Sequence, residues 1–322
     1  MSVLKKAKMT NSSLAPITLF VYNRPEHTLR TLEALANNIL ANESILYIYA
    51  DGPKEDIEDV ASTRKIIRQK QWCKEVHIIE SKVNNGLADS IIRGVSEVIN
   101  KYGKVIVLED DIVTSPYFLQ YMNDALSLYE NEDKVMHISS FVPKTTGAEK
   151  LQETYFLRFM SCWGWATWKR AWDKLITDIS YLHKSLPKRA DFKEYNLEGA
   201  LNQYALVELN YRGELKTWAI KWYSTIFIDN GLCLYPRQSL VENIGFDGSG
   251  ENTICTDGSF NVQLTTNVNV RLIDIKPSKY AKSYLKRFYI FGPDSNYKKR
   301  IKRILKSTSL HKLYAKIRYR KQ

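Results

Sequence analysis

Four short runs are apolar but for residues near their ends and rich in β-branched residues: ITLFVY at residues 17–22, ILYIYA at 45–50, VHIIE at 76–80 and KVIVLE at 104–109. A strand without a polar face has to be covered on both sides, which is the condition of a parallel sheet held between helices. The stretches between the runs, near residues 25–40, 60–72 and 86–101, read as helices. Strand, helix, strand, helix in this order implies an α/β fold, a mainly parallel Rossmann-like sheet with right-handed crossovers and flanking helices. Open sheets of this kind bind ligands at the carboxyl ends of their strands. Just past the four runs stand Asn23 and Arg24, then Asp51 and Gly52, then Asn84, Asn85 and Gly86, then Glu109, Asp110 and Asp111. One polar strand end is ordinary; four in succession point to one polar cleft.

The last of these ends carries three carboxylates in a row. In extended chain Glu109 and Asp111 share a side and Asp110 faces away, so the charges crowd each other unless a cation offsets them. Mg²⁺ or Mn²⁺ suits the task, since it takes one or two carboxylates and completes its shell with water and substrate phosphates. The alternative is that the acids cap the helix that follows. Ser115, with Pro116 at the first helical position, is expected to do that unaided, which frees the acids. No GxGxxG follows the first run and no GxxxxGK[ST] occurs, so neither a dinucleotide fold nor a P-loop is indicated. The four cysteines, Cys73, Cys162, Cys233 and Cys255, are widely spaced and suggest neither a disulfide framework nor a zinc site.

From about Thr114 the pattern is less regular. FMSCWGWATWKRAWD holds Trp163, Trp165, Trp168 and Trp172, and TWAIKWYSTIF adds Trp218 and Trp222. Indole faces suit sugar rings, so Trp163, Trp165 and Trp218 are candidates for the wall of a sugar or acceptor site, with core packing as the alternative. Lys221 either contacts a phosphate or lies on the surface. NIGFDGSG places Asp247 among glycines that let backbone approach a ligand, although Asp-Gly is also a frequent turn pair.

The net charge of +12 is a property of the chain's end. Residues 276–322 hold sixteen Lys or Arg against one acid, Asp294. There Ile301, Ile304 and Leu305, then Leu310, Leu313, Tyr314 and Ile317, recur at helical spacing, which predicts two short basic amphipathic helices. Such helices suit an anionic membrane surface. A helix pair packed on the body or a nucleic-acid arm are the alternatives, and the near-neutral remainder of the chain speaks against nucleic acid. The first residues carry no apolar signal region and no run approaches the roughly 18 apolar residues of a membrane span, so a cytoplasmic protein, peripheral on the inner membrane face, is expected.

PITLFVYNRPEHTLRTL, ADGPK, NNGLADSIIRGV and VIVLEDD, in this order, resemble the nucleotide-diphospho-sugar transferases of the GT-A fold. The last is similar to the EDD form of the DxD motif in N-acetylglucosaminyltransferase I and its relatives. WGWATWKRAW and NIGFDGSG are similar to segments of bacterial capsule and O-antigen glycosyltransferases. The resemblance spans about residues 16–250. It implies a metal-dependent hexosyl- or N-acetylhexosaminyltransferase using a UDP-linked donor and Mn²⁺ or Mg²⁺, acting on a glycan or polyprenyl-diphosphate-linked acceptor in surface polysaccharide synthesis. By position it implies that Asn23 and Arg24 line the nucleotide site and that Asp51 contacts the base. Asn85 and Gly86 would lie against nucleotide or sugar, Glu109 and Asp110 would belong to the donor site, and Asp111 would hold the metal. One departure stands out: WAIKW occupies the place of the relatives' WDDW, so Ala219 and Ile220 supply no base. Asp247 is the first candidate in their stead. The expected organisation is a transferase domain over residues 1–275, with a donor half at 16–113 and an acceptor half at 114–275, followed by the basic tail 276–322. A nucleotidyltransferase, or a non-catalytic lipid- or nucleic-acid-binding module, is the alternative; YNRPEHT lacks the glycine-rich, lysine-bearing loop of the former.

Overall fold

The structure is a computed structural model and describes residues 14–55, 57–248, 258 and 260–293. The first half alternates as expected: β1 (Ile17–Val21), α1 (Pro25–Ala36), β2 (Ile45–Ala50), α2 (Ile57–Ile67), β3 (Glu75–Glu80), α3 (Leu87–Tyr102) and β4 (Lys104–Glu109). There follow β5 (Ile112–Thr114), α4 (Phe118–Leu128), β6 (Val135–Ser139), β7 (Thr154–Leu157), β8 (Trp165–Trp168) and the single turn α5 (Lys169–Trp172). Helices α6 (Ile179–Ser185), α7 (Phe192–Tyr195), α8 (Gln203–Tyr211) and α9 (Ala219–Ile228) come next, then β9 (Leu232–Pro236), β10 (Val241–Asn243) and α10 (Lys279–Phe291).

Eight of the strands form one sheet in the order β3-β2-β1-β4-β8-β6-β9-β7. β3, β2, β1 and β4 are mutually parallel, and the antiparallel β8 joins them to the second half. Successive residues of β4 serve opposite faces. Val105 and Val107 enter one core with Ile91, Val95, Trp165 and Trp222, while Ile106 and Leu108 enter the other with Leu32, Leu119 and Met122. This two-sided burial is the physical reason the middle of β4 is wholly apolar, whereas the edge strand β3 is only partly buried and carries His77 and Glu80. From β1 the chain moves outward through β2 and β3 and then returns to place β4 on the far side of β1. The strand order reverses there, so a crevice opens between the loops that leave β1 and β4.

Two expectations need correction. α4 starts at Phe118 rather than at Pro116: Ser115 Oγ accepts from the Tyr117 N–H at 3.3 Å in the turn before the helix and donates to the Thr265 carbonyl at 2.6 Å. The body also runs beyond the boundary drawn at residue 275. α10 buries Ala281, Tyr284, Leu285 and Phe288, and Tyr284 Oη donates to the Pro143 carbonyl at 2.8 Å while accepting from the Thr145 N–H at 3.1 Å. Lys282 pairs with Glu198 at 2.8 Å. The helices expected near residues 301–305 and 310–317 lie outside the described residues.

Candidate active site

Phe20 of β1 lies opposite Glu109 of β4, Val21 opposite Ala50, and Ala50 opposite Glu80. The parallel strands thus end in register, and all four polar strand ends meet at one edge of the sheet.

At that edge the β4 acids crowd together. Burial first, and then repulsion from Asp111 and Asp110, holds Glu109 well above the usual carboxylate range; Arg24 and a hydrogen bond from the Trp218 side chain offset part of this. Asp110 is raised too, by burial and then by Asp111, against Arg24 and the N–H groups of Tyr22 and of its own backbone. Thr31 Oγ1 donates to the Asp110 carbonyl at 2.8 Å and ties the acids to α1. The Arg24 guanidinium lies 3.0 Å from Asp111 Oδ2 and 3.7 Å from Asp110 Oδ1. One guanidinium facing three carboxylates leaves the cluster short of positive charge.

The second half reaches the same place through a two-stranded ribbon in which β10 pairs antiparallel with β5, Asn243 opposite Ile112. The Ile244 N–H donates to the Asp111 carbonyl at 2.9 Å. Gly245 then backs onto the acids so closely that a Cβ there would collide with Asp111 Oδ2 and Arg24 Nη2. Phe246 is anchored 5.3 Å from the Trp163 ring and 4.9 Å from that of Phe260. Asp247 is delivered to the start of α1, with Oδ1 3.9 Å from Arg24 Nη2 and Oδ2 3.1 Å from His27 Nε2. The candidate base and the candidate metal ligand therefore share one guanidinium. His27 escaped the reading from sequence, although its place three residues after Arg24, on the same face of a helix start, was a usable signal.

Asp51, expected at the base, is held by an internal network. Its carboxylate accepts from the N–H groups of Gly52 at 2.9 Å, Asn85 at 3.0 Å and Gly86 at 2.9 Å, and from Asn85 Nδ2 at 3.0 Å. Those bonds fasten the end of β2 to the loop before α3, and they take up both oxygens. Asn85 is likewise occupied by this internal network, so Asp51, Asn85 and Gly86 shape the wall of the crevice. Asn23, partly buried, follows β1 beside Arg24.

The tryptophans divide. Trp165 and Trp218, 1% and 3% exposed, stack 5.0 Å apart behind Glu109. They are too deeply buried to face a sugar, so the wall role does not hold for them; Trp218 instead steadies Glu109. Trp163 is partly exposed and lines a cleft of about 260 Å³ together with Ser161, Cys162, Gln203, Thr217 and Tyr289. Trp163 joins this cleft to the loop that carries Asp247 through its contact with Phe246, and burial, followed by Glu109 and Asp111, pushes the Cys162 thiol up. Lys221, partly buried on α9, forms no ion pair among the described residues. Behind the cleft the buried His137 accepts from Trp222 Nε1 at 3.2 Å through Nδ1 and donates through Nε2 to the Ser161 carbonyl at 3.0 Å. Among the described residues, no three His, Cys, Asp or Glu side chains are grouped as a ready-made metal site.

The GNT-I family model matches residues 95–180. That stretch contains Glu109, Asp110 and Asp111 as well as Trp163 and Trp165, and the match agrees with the resemblance carried by the motifs. No curated protein matches the sequence. Among solved structures, a mannosyltransferase from Pyrobaculum calidifontis in complex with GDP-Man and Mn²⁺ is similar at 10% identity and a TM-score of 0.39, over 69% of this chain and 73% of that one. The galactosyltransferase LgtC, in complex with donor and acceptor sugar analogues, is similar at 10% identity and a TM-score of 0.33, over 66% and 70%. UDP-glucose pyrophosphorylase with UDP-glucose is similar at 13% identity and a TM-score of 0.29, over 50% and 79%. The family match and the α/β sheet support classification of the chain as a glycosyltransferase.

Proposed function

We propose that the chain transfers a sugar from a nucleoside-diphosphate donor, UDP-linked, to a hydroxyl of a glycan acceptor in surface polysaccharide synthesis. The observation that carries this reading is the convergence of Arg24, Asp110, Asp111 and the second-half Asp247 in the crevice between β1 and β4. The acids fit a divalent cation carried in with a diphosphate: Glu109 and Asp110 are raised by burial first and then by repulsion from Asp111, and Asp111, paired with Arg24 and partly exposed, is the residue to hold the ion. Phosphate oxygens would complete a shell that the side chains alone do not form. When bound, Mn²⁺ or Mg²⁺ supplies Lewis-acid stabilisation of the charge on the departing diphosphate.

The chain's own residues do the rest. Arg24 offers its guanidinium to the phosphates, and the Asp51 network holds the crevice wall. The cleft beside Trp163 receives the sugar or the acceptor. Asp247 takes the proton of the acceptor hydroxyl as its oxygen bonds to the anomeric carbon and the bond from that carbon to the diphosphate breaks with its electron pair. We extend the proposal to the setting: a cytoplasmic protein, peripheral on an anionic membrane, taking an acceptor borne on a polyprenyl diphosphate. The basic composition of residues 294–322 supports this. Among the described residues no helix is long and apolar enough to cross a membrane.

The test is release of nucleoside diphosphate from a panel of nucleotide sugars with Mn²⁺ or Mg²⁺, with and without chelator. Metal-dependent turnover of a UDP-sugar is expected. Absence of turnover with every donor and metal would sink the reading, and release of pyrophosphate from a nucleoside triphosphate and a sugar phosphate would replace it with nucleotidyl transfer.

A further inference from the structure

A base carried on a loop works only if something holds its carboxylate in place, since productive geometry tolerates errors of roughly 0.5 Å. Asp247 is the outer member of its pair, with a side chain 48% exposed against 12% for His27. The imidazole therefore stands behind the carboxylate. His27 Nε2 is closed off from solvent and meets no acceptor in good hydrogen-bond geometry, yet Asp247 Oδ2 is 3.1 Å away. Leaving a buried polar nitrogen unbonded is costly, and a small rotation of residues 244–248 would recover that bond. Catalytic hydrogen bonds are often poorly aligned without ligand and tighten when substrate is present.

The helix end that carries His27 is rigid. Pro25 opens α1, and Thr28, Thr31, Leu32 and Leu35 bury its inner face. Arg24 and His27 thus approach Asp247 from one fixed support in the first half of the chain, while Phe246 pins the loop from the second half. The pair closes one half of the molecule onto the other directly above the acids.

We infer that His27 is a positioning residue for Asp247: its Nε2–H donates to Oδ2 and fixes the carboxylate while the acceptor proton passes to it. His27 keeps its own proton throughout, and the proton lost by the acceptor ends on Asp247. This rests on the transferase reading and on Asp247 as its base.

The test uses the full chain and the variants His27→Phe, His27→Gln, Asp247→Ala and the double variant His27→Phe with Asp247→Ala. His27→Phe should lower kcat about 10- to 100-fold, the effect of a small misplacement, with donor KM unchanged. His27→Gln, which retains an N–H donor, should recover most of that loss. The double variant should be no slower than Asp247→Ala alone. Unchanged kcat in His27→Phe, no advantage for Gln over Phe, or multiplying losses in the double variant would each overturn the inference. Hydrogen exchange on the chain with UDP and Mn²⁺ present gives a reading independent of turnover. Amides of residues 244–247 should exchange faster in His27→Phe and in Asp247→Ala to the same extent, and unchanged exchange also overturns it. If the unsubstituted chain turned over no donor, the transferase reading would fall, while exchange would still decide whether His27 holds the loop.

Discussion

Arg24 is shared among Asp110, Asp111 and Asp247, so substitutions at these positions are expected to be coupled rather than additive. Asp111→Asn removes the charge proposed to hold the cation and should cut turnover on the order of 10³-fold, the equivalent of several kcal/mol. Its thermal midpoint should stay at or above that of the unsubstituted chain, because one repelling charge is gone; a lower midpoint with turnover retained would contradict the assignment. His137 gives a pH prediction. Burial lowers its pKa from 6.5 to about 3, against the Ser161 carbonyl, which favours the protonated form. The folded value is the depressed one, so the stability this residue contributes is complete above pH 6.5 and is lost as pH falls toward 3, where the unfolded chain takes up the proton. The slope from one proton is about 1.4 kcal/mol per pH unit. Urea unfolding of His137→Gln across that window should show a shallower loss than the unsubstituted chain, and equal slopes would refute it. At this scale Asp110 and Asp111 were legible from sequence because three adjacent acids at a strand end are chemically conspicuous. For Trp165 and Trp218 the structure selects core packing over a sugar wall, a choice the sequence leaves open because an indole's neighbours do not reveal which layer covers it.

Strand and helix assignments in the first half come close to the observed bounds because uniform apolar runs and helical spacing are local signals. β2 and β4 occupy the expected residues 45–50 and 104–109. α1 and α2 end short of the expected limits, at Ala36 and Ile67, and the residues that follow, Asn38, Trp72 and Cys73, are buried outside those helices. Two glycines separate structural from functional close approach. A Cβ at Gly52 would strike the Val83 backbone, which cannot give way; Gly52→Ala should lower stability by about 1–3 kcal/mol, measurable by chemical denaturation. A Cβ at Gly245 would instead meet the side-chain ends of Asp111 and Arg24. Gly245→Ala should therefore leave the unfolding midpoint nearly unchanged while impairing donor turnover. If both substitutions acted alike on stability, the β5–β10 ribbon would be a structural brace rather than the support of a site.

Across the whole molecule the chain's basic end divides in two. α10 is part of the body, and Leu285→Ala, at a site 4% exposed, should cost about 2–5 kcal/mol. A chain ending after residue 293 should keep its thermal midpoint but lose sedimentation with anionic vesicles, whereas one ending at residue 278 should lose stability outright. Equal vesicle binding by the full chain and the 293-residue chain would remove the membrane proposal. The sequence by itself determined the α/β class, the parallel half-sheet and the four polar strand ends, because burial on both faces and helical periodicity are written in neighbouring residues. Only the tertiary structure decided that Asp51 fastens a loop, that α10 belongs to the body, and that Asp247 and His27 meet over the acids. Those contacts join residues up to 220 positions apart, and their existence depends on strand order and the β5–β10 pairing, neither of which any local pattern encodes.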